Sequence, residues 1–243
     1  MTCEYCQFLD WDSEFFGRRI ATILTNRLKP EELEMVFDWC AAEKIDCLYF
    51  LSDSNDRDTV RLVEENAFRL MDIRLTLERR FRKNPLGPVY PDTQIRLAQS
   101  SDIPDLQAIA RVSHHDSRFF YDPHFADERC TQFYETWIAK SCEGYADAVL
   151  VADVEGRAAG YISCHLDNGS TGKIGLLAVK AEAQGNGFGK RLVDGALRWF
   201  SDHQVHTVSV VTQGRNAVAQ LLYQQCGFLT SNVQLWYHRW FID

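Results

Sequence analysis

The sequence predicts an α/β (α+β) protein of two units, at residues 1–82 and 93–243, joined by a linker at 83–92. Three observations support this division. Apolar residues alternate between strand-like and helix-like spacing along the chain. The stretch 82–92 reads RKNPLGPVYPD, and three prolines with a glycine are typical of a connection between units. At 243 residues the chain also exceeds the usual size of one domain.

The first unit alternates strands with helices. A proline stands at the start of its first helix, where a missing N–H group costs no hydrogen bond, and a long apolar strand closes the unit. The predicted order is strand 18–24, helix 30–43, strand 46–51, helix 56–66 and strand 68–81.

The second unit begins with a strand and two helices. Ser100 and Asp102 can accept hydrogen bonds from the unpaired N–H groups at the start of the first helix. Gly156 and the pair Asn168-Gly169 are typical of hairpin turns between the three strands that follow. The predicted order is strand 94–98, helix 103–112, helix 127–142, and strands 148–153, 158–166 and 173–179.

The two units repeat each other at a shift of 160 residues. At this shift Phe68 falls on Phe228, and other apolar residues of the last helix and strand coincide. The differences are informative, because Val63 stands where Tyr223 stands and an aspartate stands where Asn216 does. The first unit is therefore predicted to be a shortened copy with a structural or substrate-facing role.

Residues 174–200 combine an apolar strand, a glycine-rich turn and a helical pattern. The turn contains Gln184, Gly185, Gly187 and Gly189. Backbone N–H groups of such a turn, with the positive end of the helix dipole, can bind a phosphate. Lys190 and Arg191 in the first helical turn also indicate a bound polyanion. A dinucleotide fold would need G-x-G-x-x-G after the first strand of a βαβ unit, and a glycine loop without a ligand is the other alternative.

The pattern Q-x-x-G-x-G from Gln184, followed by N-x-x-A-x-x-L-Y-x-x-x-G-F from Asn216, resembles the GNAT superfamily of acetyl-CoA-dependent N-acetyltransferases. The resemblance implies a GNAT fold at 93–243, with a mixed, mostly antiparallel sheet flanked by helices. It implies that residues 1–82 form a truncated GNAT-like domain that lost the cofactor apparatus. It also implies acetyl-CoA as the co-substrate, with no metal ion.

Two further segments carry a narrower resemblance. LDWDSEFFG at 9–17 and SRFFYDPHF at 117–125 look like the dTDP-fucosamine acetyltransferase family. That resemblance implies a small-molecule acceptor, a dTDP-linked 4-amino-4,6-dideoxyhexose that is acetylated on its amino group for cell-surface polysaccharides. Neither segment determines which sugar is used.

The family motif implies roles for individual residues. Tyr223 would protonate the departing thiolate, because a phenol with a pKa near 10 is protonated at neutral pH. The alternative for Tyr223 is a packed ring with a hydrated hydroxyl. Asn216 would bind the pantetheine arm, cap its helix, or do both. The other implied cofactor-binding residues, the first two through their backbone, are Leu177, Val179, Gln184, Gly185, Gly187, Gly189 and Lys190.

The general base and the acceptor site are less determined. His165 lies on an alternating strand and is one candidate base, and a chain of water molecules is the other. Arg118 stands among aromatic residues and would bind a diphosphate or form an ion pair between the units. The histidines and aspartates at 114–124 lack the spacing of metal ligands, so we expect no metal site.

Composition limits the remaining classes. The net charge of −8 argues against nucleic-acid binding, and no apolar run approaches the roughly 18 residues of a membrane span. No leader pattern opens the chain, and eight dispersed cysteines predict a cytoplasmic protein in a reducing compartment. A GNAT for another small amine or a protein amine and a non-catalytic CoA-binding module stay open. Tyr223 and the full glycine turn favour the enzyme, and a homodimer is left open.

Overall fold

The computed structural model describes residues 4–83, 86, 92, 94–167 and 169–241, and all of its strands join one sheet. The strands are β1 (Cys6–Phe8), β2 (Ile20–Ile23), β3 (Cys47–Asp53), β4 (Arg69–Arg80), β5 (Ile95–Leu97), β6 (Ala148–Val154), β7 (Arg157–Leu166), β8 (Thr171–Val179), β9 (Thr207–Gln213) and β10 (Leu229–Trp240). The helices are α1 (Asp10–Phe16), α2 (Pro30–Ala42), α3 (Arg57–Glu65), α4 (Ile103–Arg111), α5 (Arg118–Tyr121), α6 (Asp127–Lys140), α7 (Phe188–Asp202) and α8 (Ala217–Gln225).

The sheet order is β1-β2-β3-β10-β4-β9-β8-β7-β6-β5. The pairs β2–β3 and β8–β9 are parallel, and the other pairs are antiparallel. The predicted mixed, mostly antiparallel sheet flanked by helices is therefore confirmed. Within the described part of the chain, no helix has both the length and the apolar character needed to cross a bilayer.

Helices cover both faces of the sheet. The side chains of each strand alternate between these two faces, so one strand can pack against helices on both. Val149 and Val151 of β6 pack with the core that includes residues of α4 and α6, whereas Leu150 packs with the core that includes residues of α7 and α8. Phe200 of α7 is fully buried and would meet any Cβ added at Gly172 of β8 at 2.5 Å. Burying a phenylalanine side chain stabilises the fold by about 1.5–3 kcal/mol.

The last strand of each half pairs with the other half. β10 lies between β3 and β4, and β4 lies between β9 and β10. The β4–β10 pair places Arg74 opposite Gln234, and these two residues are 160 positions apart. The halves thus share one sheet across this pair of strands. The predicted division into domains at 1–82 and 93–243 stays a prediction about folding units.

The repeat at 160 residues is present in the elements themselves. The bounds of β9, α8 and β10 are those of β3, α3 and β4 with 160 added. Both repeated helices begin with a side-chain cap, since Asp56 accepts from the Thr59 N–H and Asn216 accepts from the Ala219 N–H. The antiparallel pair of β4 and β10 therefore joins two units of similar structure.

Some elements differ from the sequence predictions. The strand predicted at 18–24 is shorter, as β2, and β1, α1 and α5 were not predicted. These short elements carry too few residues for a periodic pattern, and no residue of α1 is classed as buried. Residues 84–85 and 87–91 of the predicted linker and Asn168 of the predicted hairpin turn lie outside the described residues.

The segments 9–17 and 117–125 pack against each other and join the two halves. The ring of Phe16 lies 5.3 Å from that of Phe119, 4.5 Å from that of Phe125 and 5.7 Å from that of Phe133. All three partners belong to the second half and are buried. The two segments therefore build an apolar contact between the halves.

A buried polar network lies beside this aromatic contact. The carboxylate of Asp122 accepts from His238 Nδ1 at 2.6 Å and from Trp240 Nε1 at 2.8 Å. Arg118 Nη1 donates to His238 Nε2 at 2.6 Å, which requires the neutral form of the ring. Burial lowers the pKa of His238 to about 4, although Asp122 acts in the opposite direction. His238 is therefore neutral in the folded protein at neutral pH.

We expect this network to make the free energy of unfolding depend on pH. Below the ordinary histidine pKa of 6.5 the unfolded chain binds a proton at His238 that the folded chain does not bind until about pH 4. The free energy of unfolding should therefore fall as pH falls through this window, by about 1.4 kcal/mol per pH unit and about 3 kcal/mol in all. In His238→Gln, the amide can donate to Asp122 and accept from Arg118 without titrating. The free energy of unfolding should be measured by urea titration at several pH values. Plotted against pH, it should have a smaller slope in this variant than in the wild type, by the contribution of one proton.

The surface residue His206 offers a matched control. His206→Gln removes an imidazole outside the network and should keep the wild-type slope. An unchanged slope in a folded His238→Gln protein would contradict the account of this network.

Candidate active site

The site begins where two parallel strands separate. β8 and β9 pair from Thr171 with Thr207 to Ile174 with Val210, and no later pair joins them within the described residues. Beyond Ile174, β8 stays paired with β7 as far as Val179. One edge of β8 therefore borders a cavity of about 990 Å³. That volume lies at the upper end of the range for small-molecule sites, so the cavity can hold a large ligand.

A bulge in β8 sits beside the separation. Between the pairs Ile162–Leu177 and Cys164–Ile174, β8 has one residue more than β7. The N–H group of Leu176 donates to the hydroxyl of Ser163 at 2.8 Å, so the displaced amide remains satisfied. A Cβ on Gly175 would lie 2.6 Å from Ser163 Oγ, and this contact requires a glycine.

The cavity walls contain most of the residues that the sequence singled out. They include Leu177, Val179, Gln184, Gly185, Gly187, Gly189, Lys190, Asn216, Tyr223 and His165. These residues come from β7, β8, the turn after β8, α7 and α8, and the fold brings them to one cavity. Arg118 is not on these walls.

The glycine turn leaves the start of α7 open toward the cavity. Gly185 has φ of +77° and Gly187 has φ of +79°, a region that side chains disfavour. Gly187 is the N-cap of α7, and no side chain of the described residues caps this helix. Its first backbone N–H groups can therefore bind an anion, as at other helix N-termini. Gln184 supports the turn, since its Nε2 donates to the Val179 carbonyl at 3.0 Å.

The two basic residues in the first turn of this helix differ in their partners. Lys190 forms an ion pair with Asp194 at 2.6 Å, and the hydrogen bond to this carboxylate raises the pKa of Lys190. Arg191 Nε donates to Asp92 Oδ2 at 2.5 Å, so a carboxylate already accounts for its charge. The ion pair with Asp92 thus explains Arg191 without a bound polyanion. Lys190 lies on the cavity wall.

Tyr223 lies on α8, and Asn216 is the N-cap residue of that helix. Tyr223 is 4% exposed, and burial raises the pKa of its phenol. Its ring contacts that of Phe228 at 5.7 Å. The Asn216 side chain accepts from the Ala219 N–H at 2.9 Å, which is the capping role. Because Asn216 also lies on the cavity wall, a second role toward a ligand stays a prediction.

The far end of the cavity contains a cluster that the sequence did not assign to this cleft. His114, with φ of +64°, stacks on Tyr134 at 4.7 Å and shares a hydrogen bond of 2.9 Å with the Tyr161 hydroxyl. Burial lowers the pKa of His114 to about 4, so its ring is neutral at neutral pH. The histidine-rich pattern at 114–124 gave a signal, but only the packing of α4 against α6 reveals its position.

His165 lies on β7 near the bulge. A Cβ on Gly175 would meet His165 Nε2 at 2.7 Å, so the ring lies directly against the glycine backbone. Burial lowers the pKa of His165, and the charge of Lys173 lowers it further. The imidazole is therefore unprotonated at neutral pH and able to accept a proton.

Arg118 lies outside the cavity walls, whereas Arg74, for which no role was predicted from the sequence, lies on them. Arg118 stacks on the Tyr49 ring at 4.0 Å and belongs to the network of His238, as a contact between the halves. A structural contact was one of its two predicted roles, although a histidine takes the place of the expected carboxylate. Arg74 of β4 lies on the cavity wall instead. No local motif marks it, because its position results from the pairing of β4 with β9.

In the first half, the described residues at the places equivalent to this cavity wall are buried or paired with one another. Its fully buried Val63 occupies the place of Tyr223 in the repeat. The segment after β2 is held to α3, since Thr59 Oγ1 accepts from the Leu28 N–H at 2.9 Å and donates to the Leu28 carbonyl at 3.2 Å. Arg27 pairs with Asp53 at 2.7 Å nearby. At the shift of 160 residues these positions correspond to residues that line the cavity of the second half, namely Gly187, Phe188, Gln213 and Ala219.

Comparison with known proteins gives the family. Residues 109–228 match the model of the acetyltransferase (GNAT) family. The chain is 26% identical to the dTDP-fucosamine acetyltransferase of Escherichia coli O6:H1 over 234 residues, which cover 95% of this chain and 96% of that protein. It is 27% identical over 155 residues to the spore coat polysaccharide biosynthesis protein SpsD of Bacillus subtilis, covering 64% of this chain and 50% of that protein.

Solved structures share the fold at low identity. A protein of unknown function from Staphylococcus epidermidis aligns with a TM-score of 0.69 and 16% identity, covering 96% of this chain and 90% of that one. A GCN5-related N-acetyltransferase from Sphaerobacter thermophilus aligns with a TM-score of 0.65 and 14% identity, covering 97% and 76%. These structures show the fold. The family match and the similarity to a named acetyltransferase show that residues 109–228 belong to an acetyltransferase domain of the GNAT family and that the chain is an acyltransferase.

Proposed function

We propose that the protein transfers an acetyl group from acetyl-CoA directly to the amino group of a nucleotide-linked amino-dideoxy sugar of the dTDP-4-amino-4,6-dideoxyhexose type. The observation that carries the proposal is the similarity to a dTDP-fucosamine acetyltransferase, which extends over both halves of the chain. A similarity limited to the GNAT domain would support acetyl transfer without favouring an acceptor. The second relative, a polysaccharide biosynthesis protein, supports the same acceptor class.

Acetyl-CoA would bind in the cavity with its phosphates at the start of α7. The open N–H groups after Gly187 and the dipole of a helix of 15 residues favour a diphosphate there. The pantetheine arm would pair with the free edge of β8 at Leu177 and Val179, as an added strand does. Gln184, Gly185, Gly189, Lys190 and Asn216 line the rest of this path.

Acetyl transfer from a thioester to an amine has three chemical requirements. A neutral amine attacks the thioester carbonyl, the oxyanion that forms is stabilised by hydrogen-bond donors, and the thiolate leaves with a proton. Tyr223 would supply that last proton. Because burial raises the pKa of Tyr223, the phenol keeps its proton at neutral pH, whereas a free thiol has a pKa near 8.5.

The proton of the amine has two routes. His165 lies on the cavity wall with a lowered pKa and can accept it, and a chain of water molecules can carry it to solvent. Direct transfer needs no metal ion, since the hydrogen-bond donors polarise the carbonyl. The cytoplasmic location and a homodimer stay predictions from the sequence.

We expect an acceptor panel to identify the substrate class. Release of free CoA thiol should be measured with acetyl-CoA and dTDP-linked 4-amino sugars, the corresponding free amino sugars, other small amines and an amine-bearing peptide. The dTDP-linked sugars should react with the highest kcat/KM. A higher kcat/KM with a free amine or the peptide would contradict the proposed acceptor, and binding of acetyl-CoA without transfer to any acceptor would indicate a CoA-binding module.

Tyr223→Phe tests the general acid. The substitution keeps the ring in contact with Phe228 and removes only the hydroxyl. We expect kcat to fall by about 10²- to 10⁴-fold, the usual contribution of general acid catalysis, while the KM for acetyl-CoA changes little.

A matched control is Tyr121→Phe, because the Tyr121 ring is 59% exposed and lies outside the cavity walls. This variant should keep wild-type kinetics. Near-normal kcat in a folded Tyr223→Phe protein would exclude Tyr223 as the acid and leave water as the proton source.

A further inference from the structure

The cavity contains a cation that belongs to the first half of the chain. Arg74 of β4 lines the cavity and is half-buried. Its Nη1 donates to Gln234 Oε1 at 2.7 Å, and this neutral amide leaves the charge of the guanidinium uncompensated. In the described part of the chain, no carboxylate lies within ion-pair distance of Arg74.

Arg74 reaches this position because β4 of the first half lies between β9 and β10 of the second half. Arg74 lies opposite Gln213 of β9 on one side and opposite Gln234 of β10 on the other. Its neighbour Leu75 and Leu77 pack in the core with α7 and α8. Because successive side chains alternate, Arg74 faces the other side of the sheet, which α4 and α6 cover.

The chemistry of that side indicates an acceptor site. His114 and Tyr134 line the cavity on the face of α4 and α6, whereas the glycine turn and Lys190 lie at the start of α7. A CoA diphosphate at the start of α7 would therefore lie across the sheet from Arg74. The guanidinium is available to a different anion.

Two partly buried arginines of the second half show what an internal counter-ion looks like. Arg96 contacts the carboxylates of Asp102 at 2.7 Å and Asp153 at 2.6 Å, and Arg191 forms an ion pair with Asp92. Arg74 has no such partner, and burial lowers its pKa without an opposing contribution from any carboxylate. Removing a cation from water without a counter-ion costs free energy, so a bound anion would stabilise this arrangement.

We propose that Arg74 binds the phosphate of a nucleoside diphosphate group on the acceptor. This inference rests on the proposed function and adds the residue that recognises the anionic part of the substrate. A guanidinium presents two parallel N–H groups to phosphate oxygens, and hydrogen bonds to charged groups are stronger than neutral ones. The first half then contributes a substrate-binding residue through β4, although it has no cofactor cavity of its own.

Calorimetric titration with thymidine diphosphate tests the assignment directly. The proteins are the wild type, Arg74→Gln, Arg74→Lys and Arg69→Gln, the last being an exposed arginine of the same strand. Arg74→Gln should weaken thymidine diphosphate binding by about 10- to 100-fold, as expected for charge-assisted hydrogen bonds. Arg74→Lys should bind with intermediate affinity, and Arg69→Gln should bind like the wild type. Acetyl-CoA should bind all four proteins with similar affinity.

Each of several results would overturn the assignment. Wild-type affinity for thymidine diphosphate in folded Arg74→Gln and Arg74→Lys would do so, as would no binding to the wild type. An equal loss of acetyl-CoA affinity would assign Arg74 to the cofactor instead. The proposed function is judged separately by the acceptor panel, so wild-type turnover of a dTDP-linked sugar with an unchanged KM in Arg74→Gln would reject only this inference.

Discussion

The separation of β8 from β9 after Ile174 and Val210 is the constraint on which the rest of the site depends. Parallel strands that continued in register would leave no free edge on β8 and no cavity between it and α8. The bulge at Gly175 keeps β8 attached to β7 while it turns, because Ser163 accepts the displaced Leu176 N–H. The bulge in β8 thus lies where the strand gains a free edge and where the cavity that reaches the start of α7 begins.

The exchange of β4 and β10 gives the shortened half its importance. With β10 between β3 and β4, neither half can complete its sheet alone, and the guanidinium of Arg118 in the second half lies 4.0 Å from the ring of Tyr49 in the first. The first half joins Leu28 to Thr59 at the equivalent place, and it supplies Arg74 to the cavity of the second half. A repeated unit can therefore differ from its partner at the cavity and still contribute a residue to the wall of that cavity.

Local patterns in the sequence predicted the fold class and the cofactor side of the site, because glycine turns, helix caps and strand periodicity depend on near neighbours. Gly187 and Asn216 both occupy the start of a helix, as their residue types indicate. The wall of the cavity that carries Arg74 and His114 was not predictable in this way. Arg74 and His114 reach the cavity through the pairing of β4 with β9 and through the packing of α4 with α6, which are long-range contacts without a local signature. The position of Arg118 beside His238 likewise results from a long-range contact.

We expect the cavity between β8 and α8 to be the place where the chain binds acetyl-CoA, with one molecule per chain. Calorimetric titration of the wild type and of Gly187→Val with acetyl-CoA tests it most directly. We expect one molecule bound per chain, and at least tenfold weaker binding in the variant, because a side chain at φ of +79° disturbs the backbone N–H groups that would hold the diphosphate. Two molecules per chain, or wild-type affinity in a folded Gly187→Val protein, would contradict the account.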